Sequence, residues 1–554
     1  MNNSLLELNA RERAVALLDK DTAQELIGPF DNIISPHLIP QNIVPESDDG
    51  VIIMKGQLKH LNCVIISIEG SFQGGGIGEV GGAKIVSALE HTLLDNKNGE
   101  KVYPLIIFDT GGVRLQEANY GLLSISEIQN MIIELKQYVP VIGLIPGRVG
   151  SFGGMSITTA LMSYIITTDK ARIGLNGPEV IEQEAGAREF DSSDKNLIWN
   201  TLGAKQRKAT GIVDEVIDDD VDAFRSTIAK TILEKKDSNR DQQVNFYLSL
   251  IETLDPAHML TTQEYTNLYR HVSVHDHHLN SAIPSDYPTI TSRGRHWFEQ
   301  LTQIKNAHSD IPTVLHALVN GYEYISIVPD KNNNFPRVRH GEVGLKEGYT
   351  VANVINDLID RDKDKKTKTP IVIIVDVPSQ AYGYNEELVG IHMSLAASVS
   401  AYARARQAGH KIISFIPGDA VSGGFLAHGL QSNRLIALND SSITIQAMSK
   451  ESAARITNRS LQELEQATKN TPAMAYDIKN YQKLGSLFYL ISNVKSYDSS
   501  DYAINIVKNA INSAISDLEN KPTDLSFRYN NKIAKESGRV ATNKIRLLMD
   551  KQWN

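Results

Sequence analysis

A single cysteine in 554 residues excludes an internal disulfide and a cysteine-ligated zinc module. Cys63 sits in the apolar run Cys63-Val64-Ile65-Ile66, the setting of a small core residue rather than a nucleophile. No run of 18 apolar residues occurs, so no transmembrane helix is expected. The start, Met1-Asn2-Asn3-Ser4, lacks a basic segment followed by an apolar one, so no secretory signal is expected either. Excess positive charge is missing as well: the net charge is −9, which argues against nucleic-acid and anionic-membrane surfaces. With 41% apolar and 22% charged residues the chain is ordinary globular material, long enough for about two to four domains. A cytoplasmic enzyme of bacterial type fits these absences.

What the chain does have is one glycine-built pattern, present twice. The run Leu105 to Phe108 ends in Asp109-Thr110-Gly111-Gly112, and Val141 to Ile145 ends in Pro146-Gly147, with Gly153-Gly154 beyond. About 270 residues later the order returns. Ile371 to Val375 ends in Asp376-Val377-Pro378-Ser379, and Ile412 to Ile416 ends in Pro417-Gly418, with Gly423-Gly424 next. Glycine turns at the ends of apolar strands expose backbone N–H groups, and a following helix start adds unpaired donors.

Strand and helix periods alternate along both halves, which favours α/β layering. Val51 to Lys55 and Leu61 to Ile68 read as paired strands around a polar turn, followed by helices over Gly82 to Leu94 and Ile125 to Tyr138. The apolar period fades between Pro256 and Arg295, so residues 1–260 and 291–554 are expected as domains joined by a linker over 261–290. Four histidines, His271, His275, His277 and His278, fall in that linker. A spacing of four puts His271 and His275 on one helix face, but no acidic partner stands at a fixed offset; a polar hinge is the simpler reading and no metal is assigned.

Other motifs carry less. Gly76-Ile77-Gly78-Glu79-Val80-Gly81 matches a dinucleotide fingerprint, yet Glu69 to Gly75 separate it from the strand, so a phosphate or pantetheine arm lying against the loop is preferred. Ser151 and Ser422 lack the flanking glycines of a hydrolase elbow, with Val149 and Ala420 two positions before them. His428 reads as a packing or hydrogen-bonding residue. Arg114 and Arg148 follow glycine turns and offer guanidinium forks for a carboxylate or phosphate, with a loop-pinning ion pair as the equal alternative.

Asp109-Thr110-Gly111-Gly112-Val113-Arg114-Leu115-Gln116-Glu117 resembles the Asp-Ser-Gly-Gly-Ala-Arg-hydrophobic-Gln-Glu signature of β-type carboxyltransferase domains acting on acyl-CoA. Phe72 to Gly82, Ser151-Phe152-Gly153-Gly154 and Asn176-Gly177-Pro178-Glu179-Val180 fall where that family's other segments fall. Asp376 to Gly390 and Val421 to Gly424 are similar to the α-type partner domain. Within this group the sequence resembles the biotin-independent malonate decarboxylase family, with β and γ subunits fused; Arg293-Gly294-Arg295-His296-Trp297-Phe298 looks like a γ-subunit start. Ser379 and Gln380 depart from the glycine and bulky apolar residue common in biotin-using relatives, and no biotin-attachment lysine is evident.

The resemblance implies two crotonase-like carboxyltransferase domains, each a β-β-α spiral of the ClpP/crotonase superfamily, with the active site between them. It also implies a malonyl thioester carried on the phosphoribosyl-dephospho-CoA arm of a separate acyl carrier protein. The partners it implies are that carrier and the acyl-carrier-protein transferase (α) subunit, and no cofactor is expected on this chain. Loss of CO2 sends electrons to the thioester oxygen, so donors must be aimed there. Backbone groups near Gly112, Val113, Gly153 and Gly154 are expected to hold that oxygen, and those near Ser379, Gln380, Gly423 and Gly424 to face the departing carboxylate. Gly75, Gly76, Gly78, Arg114 and Arg148 are expected to bind the rest of the substrate. Tyr382, Tyr384, Glu386, His392 and water remain open as proton donors. Transfer of the carboxyl group to a biotin carrier is the alternative reaction.

Overall fold

The computed structural model describes residues 3–277, 287–305, 311–457, 459–469 and 471–553. Two mixed sheets form its frame. The first has seven strands in sequence order: β1 (Gln24–Leu26), β2 (Val51–Leu58), β3 (Leu61–Ile68), β4 (Tyr103–Ile107), β5 (Ile142–Ile145), β6 (Tyr164–Thr167) and β7 (Glu215–Val216). The second half supplies β8 (Val314–Val319), β9 (Tyr322–Ile327), β10 (Ile371–Ile374), β11 (Ile412–Ile416), β12 (Ala420–Val421), β13 (Arg434–Leu438), β14 (Ile445–Gln446) and β15 (Leu487–Ile491). Its main sheet runs β15-β13-β11-β10-β9-β8, and β12 pairs with β14 alone.

The duplication read from the sequence is visible in the pairing. In each half an antiparallel hairpin, β2–β3 or β8–β9, opens onto parallel strands, β4 to β7 or β10, β11, β13 and β15. Unbroken apolar runs suit the parallel strands because both faces of such sheets are covered; β4, β5, β10 and β11 are buried almost throughout. The hairpins turn on residues with positive φ. Asn320 and Gly321 are the favoured types for such a turn, whereas Lys59 and His60 are held there by Asp19, whose carboxylate accepts both backbone N–H groups at 3.0 and 2.8 Å.

One apolar core extends through both halves, and a smaller cluster lies on the other side of the first sheet. Buried polar contacts cross the seam. Glu127, on the helix Ala118–Leu135, takes both arms of Arg539 at 2.5 and 3.0 Å, and Asn119 donates to the carbonyls of Pro472 and Ala475. The rings of Tyr247 and Tyr349 stack across the same seam with centroids 5.0 Å apart.

The expected linker needs correction. Its first part is the helix Thr262–His271, started by a capping box in which Thr261 and Glu264 satisfy each other's backbone N–H groups. Tyr265 on that helix is buried, with its hydroxyl on the Val389 carbonyl at 3.1 Å. Polar composition hid a helix that packs along one edge only. His278 lies outside the described residues.

The Glu127–Arg539 pair is fully buried. Glu127→Ala leaves a guanidinium charge unpaired, so unfolding free energy is expected to fall by about 3–5 kcal/mol. Denaturant titration checks this against Lys450→Ala, which breaks an exposed pair and is expected to cost under about 1 kcal/mol.

Candidate active site

In the first half two loops meet to expose two amides. Ile77 donates to the Gly112 carbonyl at 2.8 Å and accepts from the Arg114 amide at 3.0 Å, forming a parallel bridge opposite Val113. In such a bridge the N–H of Val113 itself points away from Ile77. The second loop is tied by Phe152, which donates to Thr110 at 3.0 Å, and leads into the helix Gly153–Ala160. Gly112 has φ +103, and a side chain on it would stand 2.9 Å from the Gly153 Cα and 3.2 Å from the Gly154 nitrogen, so only glycine allows the loops to close together. The Gly154 N–H belongs to a first helical turn, which has no acceptor inside the helix.

The other two expected donors are already committed. Gly153 donates to the Leu175 carbonyl at 2.9 Å and Gly112 to the Thr110 hydroxyl at 3.0 Å. The donor pair of the first half is therefore Val113 and Gly154.

The second half repeats this geometry with a changed register. Val343 bridges Gln380 as Ile77 bridges Val113, and Val377 bridges Ala420 as Thr110 bridges Ser151. Counting on from those bridges, Ser422 takes the place of Gly153 and Gly423 that of Gly154, one residue earlier than the glycine pairs alone suggest. The backbone agrees: φ is +56 at Gly153 and +59 at Ser422. Gly424 does not offer a donor to the cleft. It packs on the chain, and a Cβ there would lie 2.5 Å from the Ser379 carbonyl oxygen.

One amide of this second pair is not open. The Gly423 N–H donates to the side-chain carbonyl of Gln380 at 2.9 Å. The Gln380 amide nitrogen donates to Asn176 Oδ1 at 2.8 Å, and Asn176 Nδ2 donates to Glu387 at 2.8 Å. Glu387 also accepts the backbone N–H groups of Leu175 and Asn176 at 3.1 and 2.7 Å. The Gln380 side chain is thus held at both ends by partners from both halves. The expectation that Gly423 presents a free donor to a carboxylate is corrected on this ground.

Both sets of loops line one cleft of about 670 Å3 between the halves. Val113, Gly153 and Gly154 meet Gln380, Tyr382, Ser422 and Gly423 there, with Leu122, Phe152, Leu426 and Met474 adding apolar surface. Of the expected binding residues, Gly76 and Arg114 line the cleft, and Gly74, which was not expected, lines it too. Gly75 and Gly78 serve packing instead: added Cβ atoms would meet the Asp109 carbonyl at 2.0 Å and Glu117 at 2.3 Å.

Arg114 lines the cleft but is buried, paired with Asp49 at 2.6 Å and Glu117 at 2.7 Å, so its fork pins the loop. Arg148 is exposed and outside the cleft lining. Arg172 and Arg459 line the cleft as well, and neither has a carboxylate partner among the described residues. Arg172 lies just beyond β6, at the sheet end that carries the glycine turns, the one sequence signal that marked it.

Only Tyr382 among the four proton-donor candidates lines the cleft. Burial raises its phenol well above the ordinary value, and Gln380 and Ser422 line the cleft with it. Tyr384 donates to the Leu260 carbonyl at 2.7 Å. His392 is buried with neither ring nitrogen partnered among the described residues, and burial holds it neutral. Ser151 is bonded to Thr159 at 2.7 Å, and His428 is a packed side chain that burial lowers to about 4. Burial pushes the Cys63 thiol up to about 12, as suits a core residue.

Glu386 lies outside the cleft, and burial pushes its carboxyl up to about 7 from 4.5. The folded chain therefore binds an extra proton between those values. Its stability contribution is full below about 4.5 and is lost as pH rises through 7. Glu386→Gln is expected to remove this slope, worth up to about 3 kcal/mol, while turnover stays within twofold; unfolding free energies at pH 5 and 8 check it.

Comparison with known proteins agrees with this geometry. Residues 8–265 match the carboxyl transferase domain family and residues 338–553 the malonate decarboxylase gamma subunit family. The chain is 42% identical over 236 residues to the malonyl-S-ACP:biotin-protein carboxyltransferase MADC of Malonomonas rubra, covering 41% of this chain and 74% of that protein. It is 34% identical over 166 residues to MADD of the same organism, covering 29% of this chain and 57% of that protein. A Pseudomonas malonate decarboxylase hetero-tetramer in complex with malonate is similar at 46% identity and TM-score 0.47, covering 48% of this chain and 97% of that one.

The mixed α/β halves and their paired glycine loops are thus those of a carboxyltransferase-type enzyme. The chain belongs to the malonate decarboxylase family, with its β-type and γ-type parts joined in one polypeptide.

Proposed function

We propose that this chain decarboxylates malonyl-S-acyl carrier protein to acetyl-S-acyl carrier protein and CO2, as part of a malonate decarboxylase complex. The observation that carries this reading is the inequality of the two amide pairs. When the bond between the α carbon and the carboxyl carbon breaks, its electron pair moves onto the thioester oxygen and the carboxylate loses its charge. Donors on the thioester oxygen strengthen along that path, whereas donors on the carboxylate stabilise the ground state and slow the reaction. Open amides at Val113 and Gly154, with the Gly423 amide taken up by Gln380, match that direction of charge flow.

The enolate then needs a proton at the α carbon. Tyr382 supplies it in this reading: its raised phenol stays protonated at neutral pH, and water returns the proton afterwards. Arg172 and Arg459 are positioned for the phosphates of a phosphoribosyl-dephospho-CoA arm on a separate carrier protein. The partners in this reading are that carrier and the transferase (α) subunit. Each half, 1–260 and 291–554, is read as a crotonase-like β-β-α spiral.

A second reading, transfer of the carboxyl group to a biotin carrier, is favoured by the names of the two Malonomonas rubra relatives. The two differ at Gln380. Under the decarboxylase reading, purified chain releases CO2 from malonyl-CoA at a rate that biotin leaves unchanged, and Tyr382→Phe lowers that rate by about 100-fold. Gln380→Ala frees the Gly423 amide and is expected to give biotin-stimulated turnover. Wild-type turnover that requires biotin would overturn the proposal in favour of the second reading.

A further inference from the structure

The segment that leaves the first half carries a side-chain cluster that neither the cleft nor the reaction uses. His271 is no part of it, since its helix ends there and its Nδ1 lies 2.8 Å from the Asn267 carbonyl. His275 and His277 stand two residues apart in the chain that follows and turn toward the end of the helix Val244–Glu252. There Glu252 supplies the acidic partner that no fixed offset in the sequence announced. Its carboxylate lies 3.1 Å from His275 Nε2 and 3.6 Å from His277 Nδ1.

We infer that Glu252, His275 and His277 form a site for a zinc-type divalent ion, which clasps the connecting segment to the first half. Three features support it. A tetrahedral ion with bonds of about 2.0–2.1 Å places its ligand atoms about 3.3 Å apart; one ligand atom from each of the three side chains lies within 4.8 Å of the others, and the two carboxylate oxygens stand 3.1 Å from His275 and 3.6 Å from His277, separations that small side-chain shifts bring to that length. Two imidazoles and one carboxylate are a donor set that suits zinc and leave a fourth position for water. The remaining ring nitrogens, His275 Nδ1 and His277 Nε2, both face the Ser249 hydroxyl, at 3.3 and 3.1 Å.

With an ion on the Glu252 side, both rings carry their proton on the Ser249 side, where the hydroxyl oxygen, which also accepts the backbone N–H of His275 at 3.2 Å, is the acceptor within reach. Such hydrogen bonds to the non-ligating nitrogen are what orient metal-bound histidines. The place of the site gives it a consequence. Asn353, from the helix Leu345–Asp362 of the second half, donates to the His277 carbonyl at 2.8 Å, so the clasp fixes a segment touched by both halves.

The test uses the whole chain, stripped with a chelator and titrated with zinc in a calorimeter, with cobalt as a spectroscopic probe. We expect one zinc per chain, visible absorption typical of tetrahedral cobalt, and a raised midpoint of thermal unfolding. His275→Ala, His277→Ala and Glu252→Gln are each expected to abolish the stoichiometric step. Ser249→Ala is expected to weaken it by about 10-fold or more. All four variants should keep near-native circular dichroism and turn over malonyl-CoA within twofold of wild type, since none lines the cleft. Absence of a stoichiometric step in the wild type, or a step unchanged in His275→Ala and His277→Ala, would overturn the inference.

Discussion

The hydrogen bond from the Gly423 amide to the Gln380 side chain makes the two halves of a duplicated architecture unequal. Each half folds two strand-end loops against each other, which fixes a pair of backbone N–H groups with no cost of rearrangement when charge arrives. A symmetrical pair of such sites would hold both ends of a malonyl group with similar strength. Occupying one amide of the second site with the chain's own carboxamide leaves the first site the more open of the two. The position of that carboxamide depends in turn on Asn176 and Glu387, so the inequality exists only when the halves are together.

That dependence explains why the seam is polar as well as apolar. An apolar contact alone would tolerate sliding by a fraction of a side chain, whereas a chain of directed hydrogen bonds does not. Glu387 is buried deeply enough to be raised to about 7, and it accepts two backbone amides and the Asn176 side chain from the opposite half. Asn119, Glu127 and Arg539 repeat the principle farther along the seam. These groups hold the two loop pairs in register across the cleft.

Much of the frame was legible in the sequence because its signals are local. Apolar runs such as Ile412 to Ile416 have no alternation, as parallel strands covered on both faces require, and the repeated order of strand, turn and glycine revealed the duplication. The close approach of the two loops in the first half was legible for the same reason, since the glycine at Gly112 marks it. What escaped were facts set by distant partners. Arg114 carried a partial signal in Glu117 three residues on, but Asp49 could not be foreseen. Glu252 reaches its histidines only through the packing of the helix Thr262–His271, which a polar composition concealed.

Register in the second half was misread for an instructive reason. Two adjacent glycines invited alignment with Gly153-Gly154, yet the first of the structural pair is Ser422, held at φ +59 where glycine is the easy choice. A side chain in that conformation is strained, and such strain persists only where surrounding contacts over-determine the backbone. Here the Val377–Ala420 bridge and the Gly423–Gln380 bond fix the chain on either side of it. The residue gained in exchange lines the cleft together with Tyr382. Glycine at the same turn of the first half leaves the backbone bare, whereas serine in the second half brings a hydroxyl to the cleft. The same backbone turn therefore shows the cleft two different surfaces, and the difference between them is one side chain.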